Sequence, residues 1–235
     1  MGEGPQATYL FLGNGQLSRH LQAYFRLLQL PFRVWTRSSE HPLAEALKGS
    51  THVLLAITDS ALVPFLETHD LGSATPVHFS GSISTPLAWG AHPLMTFAGL
   101  PYTLDVYRQV PFVLDEDAPP FEQLLPGLDN PHHRLAAEKK PLYHAMCVLS
   151  GNFTTLLWQS MFAELQRLGL PAAAALPYLR QTAANLESAS SPLSGPLVRG
   201  DQGTIQNNLQ ALEGSPLQAI YASFVEAFAA QAVAR

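Results

Sequence analysis

Short apolar runs alternate with stretches of helical spacing over the first 115 residues of the chain. This alternation is typical of βαβ units and predicts a mostly parallel sheet. A last run, at 110–114, is predicted to close the sheet before the polar, proline-rich segment 115–120. The apolar runs predicted as strands cover residues 8–12, 32–35, 52–57, 76–79 and 110–114.

The second half of the chain has a different pattern, rich in Ala and Leu at helical spacing and without further β-branched alternating runs. We therefore predict an α/β fold in which a Rossmann-like, mostly parallel sheet is followed by an all-α C-terminal domain. The domains are predicted to cover residues 1–118 and 119–235. Helices are expected at 141–168, 172–188, 202–213 and 216–234.

Composition narrows the class of partner. A net charge of -5 with only 13 Lys and Arg residues argues against nucleic acid as the main partner. The sequence has neither a leader-like N-terminus nor an apolar window long enough to span a membrane, so we expect a cytoplasmic protein without membrane contact. The one cysteine, Cys147, lies among apolar residues and is interpreted as a buried thiol rather than a nucleophile.

A glycine-rich turn, residues 13–18, directly follows the first predicted strand and opens a helix. That context is the one in which such a turn binds a dinucleotide. Gly13 is predicted to permit the tight turn and Gly15 to let the backbone approach a pyrophosphate at the helix N-terminus. Ser18 replaces the third glycine of the usual pattern. An ordinary turn is the alternative interpretation. The cofactor-binding residues predicted here are Gly13, Asn14, Gly15, Gln16 and Leu17.

The end of the second predicted strand indicates which cofactor is bound. An acidic side chain there would bind the ribose hydroxyls of NAD, but this chain has Thr36, Arg37 and Ser38. A guanidinium and two hydroxyls suit the 2′-phosphate of NADP, so we predict NADP. NAD stays possible because Glu40 follows closely, and Arg37 has an alternative interpretation as a solvated surface residue.

Several motifs stand out besides the glycine turn, namely AITD (56–59), HFSG (78–81), GAHPLMTF (90–97), YHA (143–145), SGNF (150–153) and SGPLVRGD (194–201). With the turn, they resemble an uncharacterised family whose members pair a Rossmann-like NADP-binding domain with a helical domain of unknown function. The resemblance spans roughly residues 7–213, and more distantly the chain is similar to ketopantoate reductase, pyrroline-5-carboxylate reductase and the β-hydroxyacid dehydrogenases. The family is described as NADP-dependent oxidoreductases, which implies a substrate cleft between the two domains.

The resemblance implies catalytic residues on the first predicted helix of the second half. In the β-hydroxyacid dehydrogenases a lysine, and an asparagine four residues later, carry the chemistry. Here Lys140 is followed four residues later by His144, and Asn152 comes eight residues after that, which places all three near one helix face. We predict Lys140 or His144 as the proton donor and Asn152 as a substrate-orienting group. The alternatives are a solvated lysine, a packed histidine and a helix-packing amide.

Further candidates lie at predicted strand ends and in one loop. Thr58, Ser80 and Gly81 are predicted to contact the cofactor, while His92 is predicted to face the substrate. Arg199 is predicted to bind an anionic substrate group, or alternatively to pair with Asp201, which is expected to cap the next helix. His78 is interpreted as a satisfied core residue, and no metal site is expected.

Together these features predict an NADP-dependent oxidoreductase for a small carbonyl, hydroxy or imine compound. A homodimer through the helical domain is also expected, because the terminal helix is rich in apolar residues. Two alternatives stay open, a dinucleotide-binding sensor or scaffold without turnover and a helical interaction module that binds no nucleotide. The apolar residues of the terminal helix are Ile220, Tyr221, Phe224, Val225 and Phe228.

Overall fold

The computed structural model describes residues 7–190 and 192–233. The chain forms two compact units, Met1–Leu157 and Trp158–Arg235. The strands, all in the first unit, are β1 Tyr9–Leu12, β2 Phe32–Trp35, β3 His52–Leu55, β4 Thr75–His78, β5 Trp89–Pro93, β6 Phe112–Asp115 and β7 His132–Leu135. The helices are α1 Gln16–Leu27, α2 Leu43–Ala46, α3 Asp59–Thr68, α4 Leu104–Arg108, α5 Phe121–Leu124, α6 Lys140–Cys147, α7 Thr154–Arg167, α8 Leu176–Ser188, α9 Pro196–Arg199, α10 Gln202–Ala211 and α11 Pro216–Val233.

The sheet has seven strands in the order β2-β1-β3-β4-β5-β6-β7. Its strand pairs are parallel except β5–β6, which is antiparallel. The Rossmann-like, mostly parallel sheet is therefore confirmed, and each of the five predicted apolar runs overlaps a strand. Because the carboxyl ends of parallel strands meet at one edge, the loops after β1, β3 and β4 lie at the edge where such sheets bind ligands.

Two strands, β5 and β7, are absent from the prediction. Gly90 and Pro93 interrupt the apolar pattern of β5, and Pro93 is tolerated at its end. Strand β7, HHRL, is a polar edge strand with no apolar alternation to detect. Since β7 lies beyond residue 118, the expectation that this half is helical from its beginning is wrong. In the described residues from Ala137 onwards, the regular elements are all helical.

Alternation within the central strands builds a core on each face of the sheet. In β1, Tyr9 and Phe11 pack into one cluster with Tyr24 and Phe25 of α1. Leu10, the intervening residue, packs into the cluster on the other face. A strand whose successive side chains are all buried needs cover on both faces, which the flanking helices supply.

The long helix predicted over 141–168 is interrupted. It runs as α6, a π-helical segment Val148–Phe153 and α7, and it ends at Arg167 before Gly169, which has φ +79°. The wider π turn shifts the angular position of later residues, so simple helical spacing cannot relate Asn152 to Lys140. The break between compact units at Leu157 lies inside α7, whereas the domain boundary was predicted at residue 118.

The remaining helices lie close to their predicted positions. Asp201 caps α10 as expected, its carboxylate accepting hydrogen bonds from Thr204 N (3.0 Å) and Thr204 Oγ1 (2.7 Å). These contacts lower the pKa of Asp201. Of the helices in the described part of the chain, none is long and apolar enough to cross a membrane.

Candidate functional site

The turn between β1 and α1 requires glycine at its first position. Gly13 has φ +97°, and a Cβ added there would lie 2.5 Å from the carbonyl oxygen of Ala56 at the end of β3. The amide of Gly13 donates to Trp35 O at 2.9 Å, which ties the turn to the end of β2. Three strand ends therefore meet at Gly13, and only a residue without a side chain fits between them.

Gly15 and Ser18 complete the turn in different ways. Around Gly15 a Cβ would meet nothing within 4 Å, so the backbone is open to a ligand beside the N-terminus of α1. Ser18 is fully buried, and its Oγ donates to Gly13 O at 2.8 Å and accepts from Gln22 Nε2 at 2.9 Å. The serine that replaces the third glycine therefore holds the turn through its own hydroxyl.

A cleft of about 790 Å³ opens at this turn. Among the described residues that line it, none carries a carboxylate. Eight predicted cofactor residues line the cleft, namely Gly13, Asn14, Gly15, Gln16, Leu17, Thr36, Arg37 and Thr58. The cleft is further lined by Leu12, Ser18, Trp35, Ala56, Ile57, Ala61, Pro64, Phe65, Thr68 and His69.

The turn after β2 presents hydroxyl groups and one guanidinium. Thr36 Oγ1 lies 3.0 Å from Ser38 Oγ, and the amide of Thr36 donates to Ser39 Oγ at 2.9 Å. Arg37 is exposed at the rim of the cleft. Ser38, a predicted cofactor residue, does not line the cleft but contacts Thr36, which does. Ser39 is an additional hydroxyl in this turn that the prediction did not include.

A second polar site is built around Lys140. This lysine is only 1% exposed, and its ammonium donates to Asp115 Oδ1 at 2.6 Å and to Ile83 O. The other oxygen of Asp115 accepts from Gly90 N at 2.6 Å. A Cβ on Gly90 would lie 2.7 Å from Lys140 Nζ, so the close ion pair requires glycine there. The alternative interpretation of Lys140 as a solvated residue is therefore wrong.

Asp115 itself is a functional residue that the sequence reasoning missed. The prediction placed it in the segment joining two domains, but it is the buried last residue of β6. The signal was its position directly after an apolar strand, where a side chain reaches the edge of the sheet.

Two imidazoles pack directly against Gly81. A Cβ on Gly81 would lie 2.6 Å from His144 Cδ2 and 3.0 Å from His92 Nε2. The two rings lie 6.0 Å apart, nearly perpendicular, and Tyr143 Oη lies 2.7 Å from His92 Nδ1. Burial, followed by the electrostatic influence of the neighbouring His144 and Lys140, lowers the pKa of His92 to about 4. Burial also raises the pKa of the Tyr143 hydroxyl. His92 is therefore neutral at pH 7.

His78 is buried as predicted, but it is not a satisfied core residue. It is fully buried at the end of β4, and its Nδ1 accepts from Ser80 N at 3.2 Å. Its Nε2 has no hydrogen-bond partner. Burial and the nearby Lys140 ammonium lower the pKa of His78 to about 4, so the ring is neutral.

Asp59, the first residue of α3, links the two sites. Its Oδ2 accepts from Ser80 Oγ and from Ser82 Oγ, both at 2.9 Å. The preceding residue, Thr58, lines the cleft at the glycine turn. One short segment therefore connects the cleft with the polar cluster, defined here as Asp59, His78, Ser80, Gly81, His92, Asp115, Lys140, Tyr143 and His144.

The remaining candidates lie apart from these contacts. Asn152 is exposed in the π-helical segment, and Arg199 is exposed in the second compact unit. Cys147 is half-buried, less enclosed than predicted. Within the described residues, no three His, Cys, Asp or Glu side chains form a group that could hold a metal ion.

Comparison with known proteins identifies a family domain and a fold. Residues 114–228 match the family model described as "Domain of unknown function (DUF2520)". No curated protein matches the sequence. The chain is similar to the crystal structure of a provisionally assigned NADP oxidoreductase from Bacteroides fragilis, with 20% identity and a TM-score of 0.76, covering 95% of this chain and 98% of that one.

Two enzymes solved with a bound cofactor share the fold. A reductive aminase from Aspergillus terreus, in complex with NADPH and ethyl levulinate, has 16% identity and a TM-score of 0.66, covering 96% of this chain and 94% of that one. An imine reductase from Myxococcus stipitatus, in complex with NADP+, has 14% identity and a TM-score of 0.62, covering 97% and 94%. Residues 114–228 of this chain therefore match a domain of unknown function, and the Rossmann-like fold is shared with these structures, as the motifs in the sequence predict.

Proposed function

We propose that this chain is an NADP(H)-dependent oxidoreductase that acts on a small carbonyl, hydroxy or imine compound. The observation that carries the proposal is the direct connection between the cleft at the glycine turn and the polar cluster. Thr58 lines the first, and Asp59 binds Ser80 and Ser82 beside the second. A cofactor bound along the strand ends would thus reach a cluster of titratable groups.

The cleft fits a dinucleotide phosphate. The open backbone at Gly15 and the N-terminus of α1 would hold the pyrophosphate. Arg37, Thr36 and Ser38 would hold the 2′-phosphate of NADP, because a guanidinium and hydroxyls bind phosphate and no carboxylate among the described lining residues would repel it. The NADPH and NADP+ bound in two structures of similar fold support this choice.

The cluster supplies the groups that a hydride transfer needs from the protein. NADPH, when bound, supplies a hydride. His144 lies against Gly81 and is the proposed proton donor or acceptor, since an imidazole exchanges protons near neutral pH. Lys140 is proposed as a positioning residue, because Asp115 and Ile83 already engage its ammonium. Asn152 and Arg199 stay proposed substrate-binding residues.

We also propose a homodimer through the helical half. On α11, Ile220 is 42% and Phe224 is 55% exposed, which favours burial of this face against a second copy. Light scattering at micromolar concentration should give twice the 25.5 kDa chain mass. A mass equal to one chain would contradict the dimer.

The catalytic half of the proposal is tested by His144→Ala. This variant should bind NADPH with nearly wild-type affinity and lose about 10²-fold in turnover, the usual scale for a missing general acid or base. His133→Ala, at an exposed position on β7, is the matched control and should keep both properties. If wild type binds NADPH but turns over no carbonyl, hydroxy or imine compound, the sensor alternative replaces the enzyme.

A further inference from the structure

One wall of the cleft at the glycine turn is a single face of α3. Four residues of this helix line the cleft at spacings of three and four, which places them on one side of the helix. The proposed function assigns the pyrophosphate to the turn and the 2′-phosphate to the end of β2, so this face is the wall that is left for the base of the dinucleotide. The four residues are Ala61, Pro64, Phe65 and Thr68, and His69 follows them directly after the helix.

The ring of His69 is held against this helix. The imidazole stacks on the Phe65 ring, with the ring centroids 4.2 Å apart and the ring planes at 11°. Its Nδ1 lies 3.0 Å from Phe65 O and 2.9 Å from Thr68 Oγ1. Although His69 is exposed, these three contacts fix the orientation of its ring.

The same contacts decide which ring nitrogen carries the hydrogen. Phe65 O is a carbonyl oxygen and can only accept. The Thr68 hydroxyl donates its one hydrogen to Pro64 O at 2.7 Å, so its oxygen also acts as an acceptor toward Nδ1. In the neutral ring Nδ1 therefore carries the hydrogen and Nε2 has a lone pair. Within the described residues, the hydrogen bonds of this ring are both at Nδ1, so Nε2 is available to a donor on a ligand.

A lone pair at this wall suits one edge of adenine. The exocyclic amino group of adenine is a hydrogen-bond donor. Hypoxanthine has the same two rings with an oxygen in place of that amino group, so it would turn an acceptor toward the Nε2 lone pair. The side chains of Ala61, Pro64 and Phe65 have no polar atoms, and the Thr68 hydroxyl is already engaged. On this wall, His69 is therefore the side chain that can distinguish the two bases.

We propose that His69 is a specificity-determining residue for the cofactor and that its Nε2 accepts a hydrogen bond from the amino group of adenine. This inference rests on the proposed function, and it concerns the base rather than the 2′-phosphate or the nicotinamide. The apolar residues of α3 pack on the base, while His69 selects its edge. A cofactor with a carbonyl in place of the amino group should therefore bind less tightly, although its phosphates and nicotinamide are unchanged.

Titration calorimetry at pH 8 tests this selection, since the uncharged imidazole is the form that accepts a hydrogen bond. Wild type should bind NADPH at least about fivefold more tightly than the hypoxanthine analogue of NADPH, the scale of one hydrogen bond between uncharged groups. His69→Phe keeps an aromatic ring beside Phe65 and removes the acceptor, so it should bind the two cofactors within about twofold of each other. His133→Phe, at an exposed position on β7, is the matched control and should discriminate as wild type does.

A fragment of the cofactor assigns the effect to the adenosine half. Adenosine 2′,5′-bisphosphate has the base and the 2′-phosphate but no nicotinamide, so His69→Phe should weaken its binding by the same factor as that of NADPH. Equal binding of NADPH and its hypoxanthine analogue by wild type, discrimination that persists in His69→Phe, or unequal losses for the fragment and NADPH would overturn the inference alone. A loss of more than about 30-fold in His69→Phe would also overturn it, because one such hydrogen bond contributes less. Failure of wild type to bind NADPH would instead overturn the proposed function.

Discussion

The buried ion pair gives the sharpest prediction about the architecture of the cluster. Lys140→Met removes a cation that is 1% exposed and leaves the Asp115 carboxylate buried with Gly90 N as a remaining partner. Removing one partner of a buried ion pair lowers the free energy of unfolding by about 3–5 kcal/mol. Since about 1.4 kcal/mol is a factor of ten, the folded-to-unfolded ratio should fall by about 10² or more. Urea unfolding at pH 7, followed by circular dichroism, measures the change.

A double-mutant cycle separates the pair from the packing of each side chain. Lys140→Met with Asp115→Asn should cost clearly less than the sum of the single changes, with a coupling of about 2–3 kcal/mol. Arg167→Met is the control, because its pair with Glu164 is exposed, with side chains 75% and 47% accessible, and such pairs contribute about 1 kcal/mol at most. A cost for Lys140→Met no larger than that of Arg167→Met would refute the buried-pair reasoning.

Two further predictions concern the turn and the buried histidine. Gly13→Ala should destabilise the fold by about 1–3 kcal/mol, because its Cβ would meet Ala56 O and its φ is positive. Gly15→Ala should keep the melting temperature and lose NADPH affinity, since its methyl would occupy only the open space of the cleft. Burial lowers the pKa of His78 from 6.5 to about 4, so the unfolded chain takes up a proton on this ring at a higher pH than the folded protein does. The free energy of unfolding therefore falls as the pH drops from 6.5 toward 4. His78→Asn keeps an acceptor for Ser80 N. Between pH 7 and pH 5 its free energy of unfolding should fall by about 2 kcal/mol less than that of the wild type, as measured by urea unfolding. An equal fall in both proteins would contradict the assignment of this pH dependence to His78.

The glycine turn and the turn after β2 were predictable because their signals are local. A strand, a turn and a helix N-terminus lie within twenty residues, and each residue's role follows from its position in that order. The same holds for the cap at Asp201 and for the helix end before Gly169.

The polar cluster could be predicted only in part, because it depends on contacts between distant segments. Lys140 and Asp115 are 25 residues apart in sequence. In the sequence Asp115 begins a polar, proline-rich segment typical of a linker, and only the pairing of β5 with β6 places it in the sheet. The π-helical segment before α7 carries no composition that distinguishes it from an α-helix. The wider turns of this segment determine where Asn152 lies relative to His144. The spacing of eight residues places the two on one face only if the helix is α-helical throughout.

Cofactor preference tests the central claim most directly. Titration of wild type with NADPH and NADH, followed by quenching of the Trp35 fluorescence at the cleft, should give one site per chain and at least about tenfold tighter binding of NADPH. Arg37→Glu should abolish or reverse that preference by placing a carboxylate at the rim where the 2′-phosphate would bind. Equal affinities of wild type for the two cofactors, or no binding of either, would contradict the account.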